Sequence, residues 1–137
     1  MKFVHNDWNA TPDTKIKSID TQSGLLIDST NLSSIHVVQF ARLINGDLYL
    51  GANDYNFNFS SDIFRLDTST YSVLQQYHIE DYFDYYFGFN AFANNTRLLV
   101  RANGNNFVEF IDLNLGTGIK DSLAFPISGE NWLLKFN

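Results

Sequence analysis

Short apolar runs alternate with clusters of Asn, Asp, Gly, Ser and Thr along the whole chain, and none is long. Runs of this kind, bounded by turn formers, predict strands rather than helices. Several are continuously apolar, such as Val37-Val38 and Tyr85-Tyr86-Phe87. That is the pattern of strands covered on both faces of their sheet. An all-β chain of many short strands follows.

The runs repeat. Three segments read apolar-x-x-apolar-Asp: Ile16-Lys17-Ser18-Ile19-Asp20, Ile63-Phe64-Arg65-Leu66-Asp67 and Val108-Glu109-Phe110-Ile111-Asp112, the aspartates standing 47 and 45 residues apart. Turn formers follow each one, in Thr21-Gln22-Ser23-Gly24, Thr68-Ser69-Thr70 and Asn114-Leu115-Gly116-Thr117-Gly118. A second landmark keeps step: Asn6-Asp7-Trp8-Asn9 recurs 47 residues later as Asn53-Asp54-Tyr55-Asn56, and after a further 50 as Asn103-Gly104-Asn105-Asn106. The third is an aromatic strand, Val38-Gln39-Phe40-Ala41, Phe87-Gly88-Phe89-Asn90 and Leu134-Lys135-Phe136-Asn137, with its phenylalanines 49 and 47 residues apart.

Each repeat divides into four strands, A to D. The second has A at 35–44, an Asn45-Gly46 hairpin turn, B at 47–52, C at 62–67 and D at 72–79. The third has A at 85–92, a turn at Asn94-Asn95, B at 97–102, C at 107–112 and D at 119–125. The first lacks strand A and opens with B at 1–5; the end, 130–137, reads as a lone strand A. The order is BCD-ABCD-ABCD-A, with blades at about 1–30, 34–79 and 84–125 in one segment spanning 1–137. Four short strands in about 45–50 residues are the signature of a β-propeller blade.

The chain thus resembles the loosely related YVTN, NHL and TolB-like propeller repeats, which form six- or seven-bladed rings. The likeness is clearest in Arg97-Leu98-Leu99-Val100-Arg101-Ala102-Asn103 and Phe107-Val108-Glu109-Phe110-Ile111-Asp112. It implies an architecture and carries over no catalytic residue. The departures are a shorter B–C loop in the third repeat, and Tyr71 where the first repeat has Gly24.

Three blades are too few to close a ring, since propellers have about four to eight. The expectation is self-association into a closed six-bladed ring, by strand exchange in which each C-terminal strand A completes a partner's BCD sheet. The alternative is a fragment of a longer propeller; a different all-β fold, or a helical element near residues 80–86, would depart from both.

Composition narrows the function. Aromatics make up 16% of residues, with 13 Phe and 7 Tyr, both suited to pleated surfaces. The net charge is −6, with nine scattered Lys and Arg, which argues against nucleic acid and anionic membranes as partners. Cysteine is absent, excluding disulfides and thiolate chemistry. No apolar run approaches the ~18 residues of a membrane span. Met1-Lys2-Phe3-Val4 leads straight to His5-Asn6-Asp7 without a signal-peptide pattern, so a weakly favoured extracellular, periplasmic or cell-surface location requires a targeting segment outside this sequence. Sequons at Asn9, Asn31, Asn58 and Asn94 arise readily in so Asn-rich a chain.

In a propeller the B–C and D–A loops open on one face. The candidate ligand-binding residues are therefore Asp7, Trp8, Asp54, Tyr55, Asn103 and Asn105 from the B–C loops, with His78, Asp81 and Tyr82 from the D–A segment. Rings that stack beside short polar groups suit a glycan, peptide or protein ligand, and oxygen ligands from several loops suit a divalent cation such as calcium. The plainer reading makes Asn-Asp and Asn-Gly turns that end strand B, with Trp8 and Tyr55 covering a blade edge. Asp20, Asp67 and Asp112 recur once per repeat, as turn caps do and catalytic groups do not. His5, His36 and His78 share no ligand spacing; His78 is flanked by Glu80 and Asp81, an arrangement open to acid–base work or to a solvated loop. No nucleophile or phosphate-loop motif is present. The sequence favours a non-catalytic binding scaffold, the alternative being a propeller hydrolase or lactonase with a pore metal held by Asp7, Asp54, Asp81 and Asp84.

Overall fold

The structure, a computed structural model, describes residues 1–7, 13–32, 34–35, 37–53, 61–79, 82–83, 91–103 and 107–126. Over these residues the chain is all-β. Its strands are β1 (Lys2–Asp7), β2 (Asp13–Ile19), β3 (Leu26–Leu32), β4 (Val38–Ile44), β5 (Asp47–Asn53), β6 (Ser61–Leu66), β7 (Val73–Ile79), β8 (Tyr82–Phe83), β9 (Ala91–Ala93), β10 (Arg97–Asn103), β11 (Phe107–Asn114) and β12 (Lys120–Pro126). They form three antiparallel sheets in sequence order. The first is β1-β2-β3, the second β4-β5-β6-β7, and the third runs from β12 through β11 to β10, along whose far edge both β8 and β9 lie.

The period-2 alternation of strands explains why the middle sheet carries apolar residues on both faces. Leu48, Leu50, Ala52, Phe64 and Leu66 point one way, onto Val4, Ile16 and Leu32 of the first sheet. Tyr49, Ile63, Tyr77 and Ile79 point the other way, onto Leu98, Val100, Ile111 and Leu113 of the third. Two cores result, each a sheet-on-sheet interface, with the second sheet between them. At burial energies of about 1.5–3 kcal/mol for each fully buried aliphatic side chain, these layers dominate the favourable side of folding.

A bulge in β4 serves both interfaces. The register between β4 and β5 shifts between Val38 and Phe40. In an unbroken strand these two side chains would share a face. The shift sends Val38 against the first sheet's core and Phe40 into the other core. Phe40 then lies flat over Gly51, directly across the ladder. A Cβ at Gly51 would sit 1.9 Å from the Phe40 ring, so only glycine fits.

Each sheet closes its last two strands with the same turn. Asp20 Oδ1 accepts the backbone N–H groups of Gln22 and Ser23 at 2.7 and 2.8 Å, and Asp67 Oδ1 accepts those of Ser69 and Thr70 at 2.9 and 2.8 Å. The third cap is Asn114, accepting from Gly116 and Thr117 at 3.0 and 3.1 Å. Four residues beyond each cap stand Gly24, Tyr71 and Gly118, all with positive φ (72°, 57° and 72°), donating to the cap's carbonyl. Asp112, expected in this role, does something else. It takes the Arg97 guanidinium through contacts of 2.7–2.9 Å. With Asn114 as the third cap, the turns recur at a constant interval of 47 residues. Tyr71 holds the glycine slot at a backbone cost; its ring lies under the Lys2 ammonium, which donates to the phenol at 2.6 Å.

The second sheet's four strands match the sequence expectation closely. In the third sheet the expected first strand, 85–92, is described only at residues 91 and 92, which fall in β9. β8 lies upstream of it. Phe83 pairs Ala102 as Val38 pairs Ala52, and Ala91 pairs Val100 as Ala41 pairs Leu50. Phe83 and Ala91 are eight residues apart, while their partners Ala102 and Val100 are two apart. The shorter third B–C connection is confirmed: the register pairs Asn6 with Thr14 and Asn53 with Ser61, but Asn103 with Val108.

The two outer sheets each keep one face that no other described sheet covers. Alternation puts Phe3, Lys17 and Ile19 on the outward face of the first sheet, with Phe3 exposed, and Ile27, at the bulge between β2 and β3, is exposed as well. It puts Leu99, Phe110, Asp112, Asp121 and Leu123 on that of the third, where Leu123 is 60% exposed. Among the described residues β1 pairs with β2 alone. The segment 130–137, expected to be a further strand A, lies outside the described residues.

Candidate functional site: the common end of the inner strands

The expected binding face is the end at which β1, β5 and β10 finish. These three strands do finish together. Val38 pairs Ala52 near the end of β5 and also meets Asn6 near the end of β1. β8 pairs Ala102 and Asn103 at the end of β10 and lies against β5.

The side chain that joins the sheets here is Asn6. Its Nδ2 donates to the Val38 carbonyl at 2.8 Å, while its Oδ1 accepts the Val38 N–H at 3.1 Å and the Thr14 hydroxyl at 3.0 Å. A carboxamide carries one donor side and one acceptor side, so it can imitate a backbone rung. It does so between two sheets rather than within one. Asn53 occupies the equivalent position in the second sheet, where it is 3% exposed and accepts the Ser61 hydroxyl at 2.8 Å. Sequence reasoning passed over both asparagines in favour of their neighbours. The signal was available: an Asn followed eight residues later by Thr14 or Ser61, across a rung of the ladder.

The other candidates fall into three groups. Asp7 and Asn103 end β1 and β10, and Tyr82 opens β8, so the backbone brings these three positions to the common end. Trp8, Asp54, Tyr55, Asn105, Asp81 and the further proposed ligand Asp84 lie outside the described residues, as do Glu80 and His36. His78 is described, and it stands apart from the inner strands. It sits on β7, 62% exposed, and its Nδ1 is 3.2 Å from Asp62 across the ladder. The carboxylate it faces is thus a cross-strand neighbour, and Lys120 of the third sheet donates to its backbone carbonyl.

Electrostatics at the opposite, turn-bearing end is structural. Hydrogen bonds from the Ser69 hydroxyl, the Thr70 and Ser69 amides and the Thr70 hydroxyl draw the Asp67 carboxyl down to about 2. The Ser23 and Gln22 amides lower that of Asp20. Asp47 raises the pKa of Arg65, and Asp112 that of Arg97. These two ion pairs occupy the same diagonal of their sheets with the signs exchanged: acid on β5 and base on β6 in the second, base on β10 and acid on β11 in the third. Burial raises the phenols of Tyr49 and Tyr77.

Among the described residues no three His, Asp or Glu side chains gather as metal ligands, and no helix is long and apolar enough to cross a membrane. Comparison with protein-family models, with curated proteins and with solved structures finds no match for this chain.

Proposed function

We propose that the chain is a non-catalytic binding scaffold: three blades of a β-propeller that form half of a six-bladed ring, with ligands held by loops at the common end of the inner strands. One observation carries this reading. Repeat sheets stack face to face in chain order, joined at that end by the Asn6 carboxamide, while the outward faces of the first and third sheets carry apolar side chains. The exposed apolar side chains on these faces suit cover by a further sheet, because apolar surface left in water favours association. A second copy supplies both missing sheets and closes the ring by heterologous contacts. Its residues 130–137 carry the strand A pattern that the first sheet lacks. Protein, peptide or glycan would be the ligand, bound by Trp8, Tyr55 and the short polar residues beside them.

Sedimentation equilibrium tests the assembly. The expected mass is twice the 15.7 kDa of one chain. A folded monomer at every concentration removes the ring, and sheets from a longer natural chain would then be the source of cover. A glycan and peptide array tests the binding face: binding should be lost in Trp8→Ala and Tyr55→Ala variants that still assemble. A divalent ion retained through purification would instead favour the hydrolase or lactonase reading.

A further inference from the structure

The Asn94-Asn95-Thr96 sequon lies wholly within the described residues and forms the turn from β9 to β10. All three residues are exposed. The two ends of the Asn94 carboxamide have different surroundings. Its Oδ1 accepts the Thr96 amide at 2.9 Å, the Thr96 hydroxyl at 3.0 Å and the Arg97 amide at 2.8 Å. Its Nδ2 donates to none of the described residues. The turn is thus held by the oxygen alone, and the nitrogen is spare.

We propose that Asn94 is the acceptor of an N-linked glycan. This goes beyond the scaffold reading and holds whether or not the ring forms. It rests on an extracellular or cell-surface location, which a targeting segment outside this sequence would supply. Asparagine followed two positions on by serine or threonine, with no proline between, is the acceptor motif for such a glycan. Sequons arise readily in this chain, but this one meets the physical needs of an acceptor. It sits on a surface turn, its hydroxyl reaches the carboxamide, and its nitrogen has no structural task. Transfer joins Nδ2 to the anomeric carbon of a lipid-linked oligosaccharide diphosphate. The bond from that carbon to the diphosphate oxygen breaks, the lipid diphosphate leaves with the electron pair, and one Nδ2 proton passes to a base of the transferase. Oδ1 stays a carbonyl oxygen throughout, so all three bonds of the turn survive. The neighbouring Asn45 side chain braces the same turn by donating to the Asn95 carbonyl at 2.5 Å. The added bulk is polar and belongs at a surface. Its position suits the binding reading as well: the seven residues of β10 separate this turn from the common end by about 20 Å, which keeps the glycan clear of the ligand loops.

The whole chain, expressed behind a cleavable leader in the secretory pathway of a eukaryotic host, tests this by intact and peptide mass spectrometry before and after an N-glycan-removing amidase. Chain recovered from the medium or from lysed cells reads the same. A glycan is expected on Asn94, with aspartate left at that position after the amidase. Thr96→Val should lose it and Thr96→Ser should keep it. Asn94→Asp should also lose it yet match the wild-type circular dichroism, because a carboxylate can accept the same three bonds, as Asp67 accepts those of its own turn. The glycosylated and amidase-treated chains should give the same spectrum too. A chain whose Asn94 stays bare overturns the site, even where Asn9, Asn31 or Asn58 carries a glycan. Loss of the strand spectrum on glycosylation, or a glycan retained on Asn94 in Thr96→Val, overturns the role given to this turn.

Discussion

At the scale of single residues, the turn caps show how one geometry accepts two chemistries. Asp20, Asp67 and Asn114 each present one oxygen to two amides, and only the aspartates bring a charge. For Asp67 that charge makes stability depend on pH. Its folded pKa is about 2 against an ordinary 3.8, so its contribution is fully present above about pH 4. It is lost as pH falls through 2, because the protonated acid gives up what the ionised one gained from its donors. Asp67→Asn keeps the acceptor oxygen, as Asn114 does naturally. It should flatten this part of the acid-unfolding profile between pH 4 and 2 while leaving the neutral-pH turn intact, as followed by circular dichroism. An acid limb unchanged from wild type would contradict it. The third cap was hidden in the sequence because Val108-Glu109-Phe110-Ile111-Asp112 fits the apolar-x-x-apolar-Asp pattern as well as the true turns do. The pattern reads side-chain polarity, whereas the turn needs an oxygen at a fixed distance from the strand's end, and Asn supplies one.

Elements are held in register by a few side chains whose loss is costly. Asn6→Ala removes both of these partners from the part-buried Val38 amide and carbonyl, and an unpaired buried polar group costs about 1–3 kcal/mol. A loss of about 2–3 kcal/mol is expected in urea unfolding. Asn6→Asp should be no better, since a carboxylate cannot donate to the Val38 carbonyl. Gly51→Ala should cost about 1–3 kcal/mol by forcing Phe40 aside, and Phe40→Leu should recover part of that in the double variant. Strands of this kind were largely legible beforehand: β5, β6 and β10 fall within a residue or so of expectation, because apolar runs and Asn-Gly turns mark them locally. Of the strand expected at 85–92, only Ala91 and Phe92 are described, in β9, while β8 pairs elsewhere on β10; seven of the eleven residues from Tyr82 to Phe92 are aromatic, so local hydrophobicity does not mark a strand boundary there.

For the molecule as a whole, stability is unevenly distributed. The second sheet is covered on both sides and holds Leu50, Ile63 and Leu66 at 0% exposure, whereas β3 and β12 present Ile27 and Leu123 to solvent. Amide exchange should therefore be slowest in β5 and β6 and fastest in β3 and β12, since protection follows buried contact. Dilution should speed exchange in the first and third sheets while leaving the second unchanged, if a second copy covers them. Uniform protection across the three sheets would argue against this layering. The recurrence of similar antiparallel sheets was readable from periodicity; the contact that joins the first two at the common end of their inner strands was not, because Asn6 acts between sheets.

The exchanged signs of the two diagonal ion pairs bear on how such a chain avoids confusing its own copies. Hairpins built from near-duplicate strands are liable to pair with one another's halves while the chain is still collapsing. Were β5 to take β11 as its neighbour, Asp47 would meet Asp112; were β10 to take β6, Arg97 would meet Arg65. Both mistakes set like charges on one diagonal of a ladder, where the correct pairs set opposite ones. Divergence between the copies thus matches each strand to its own neighbour by charge as well as by apolar pattern.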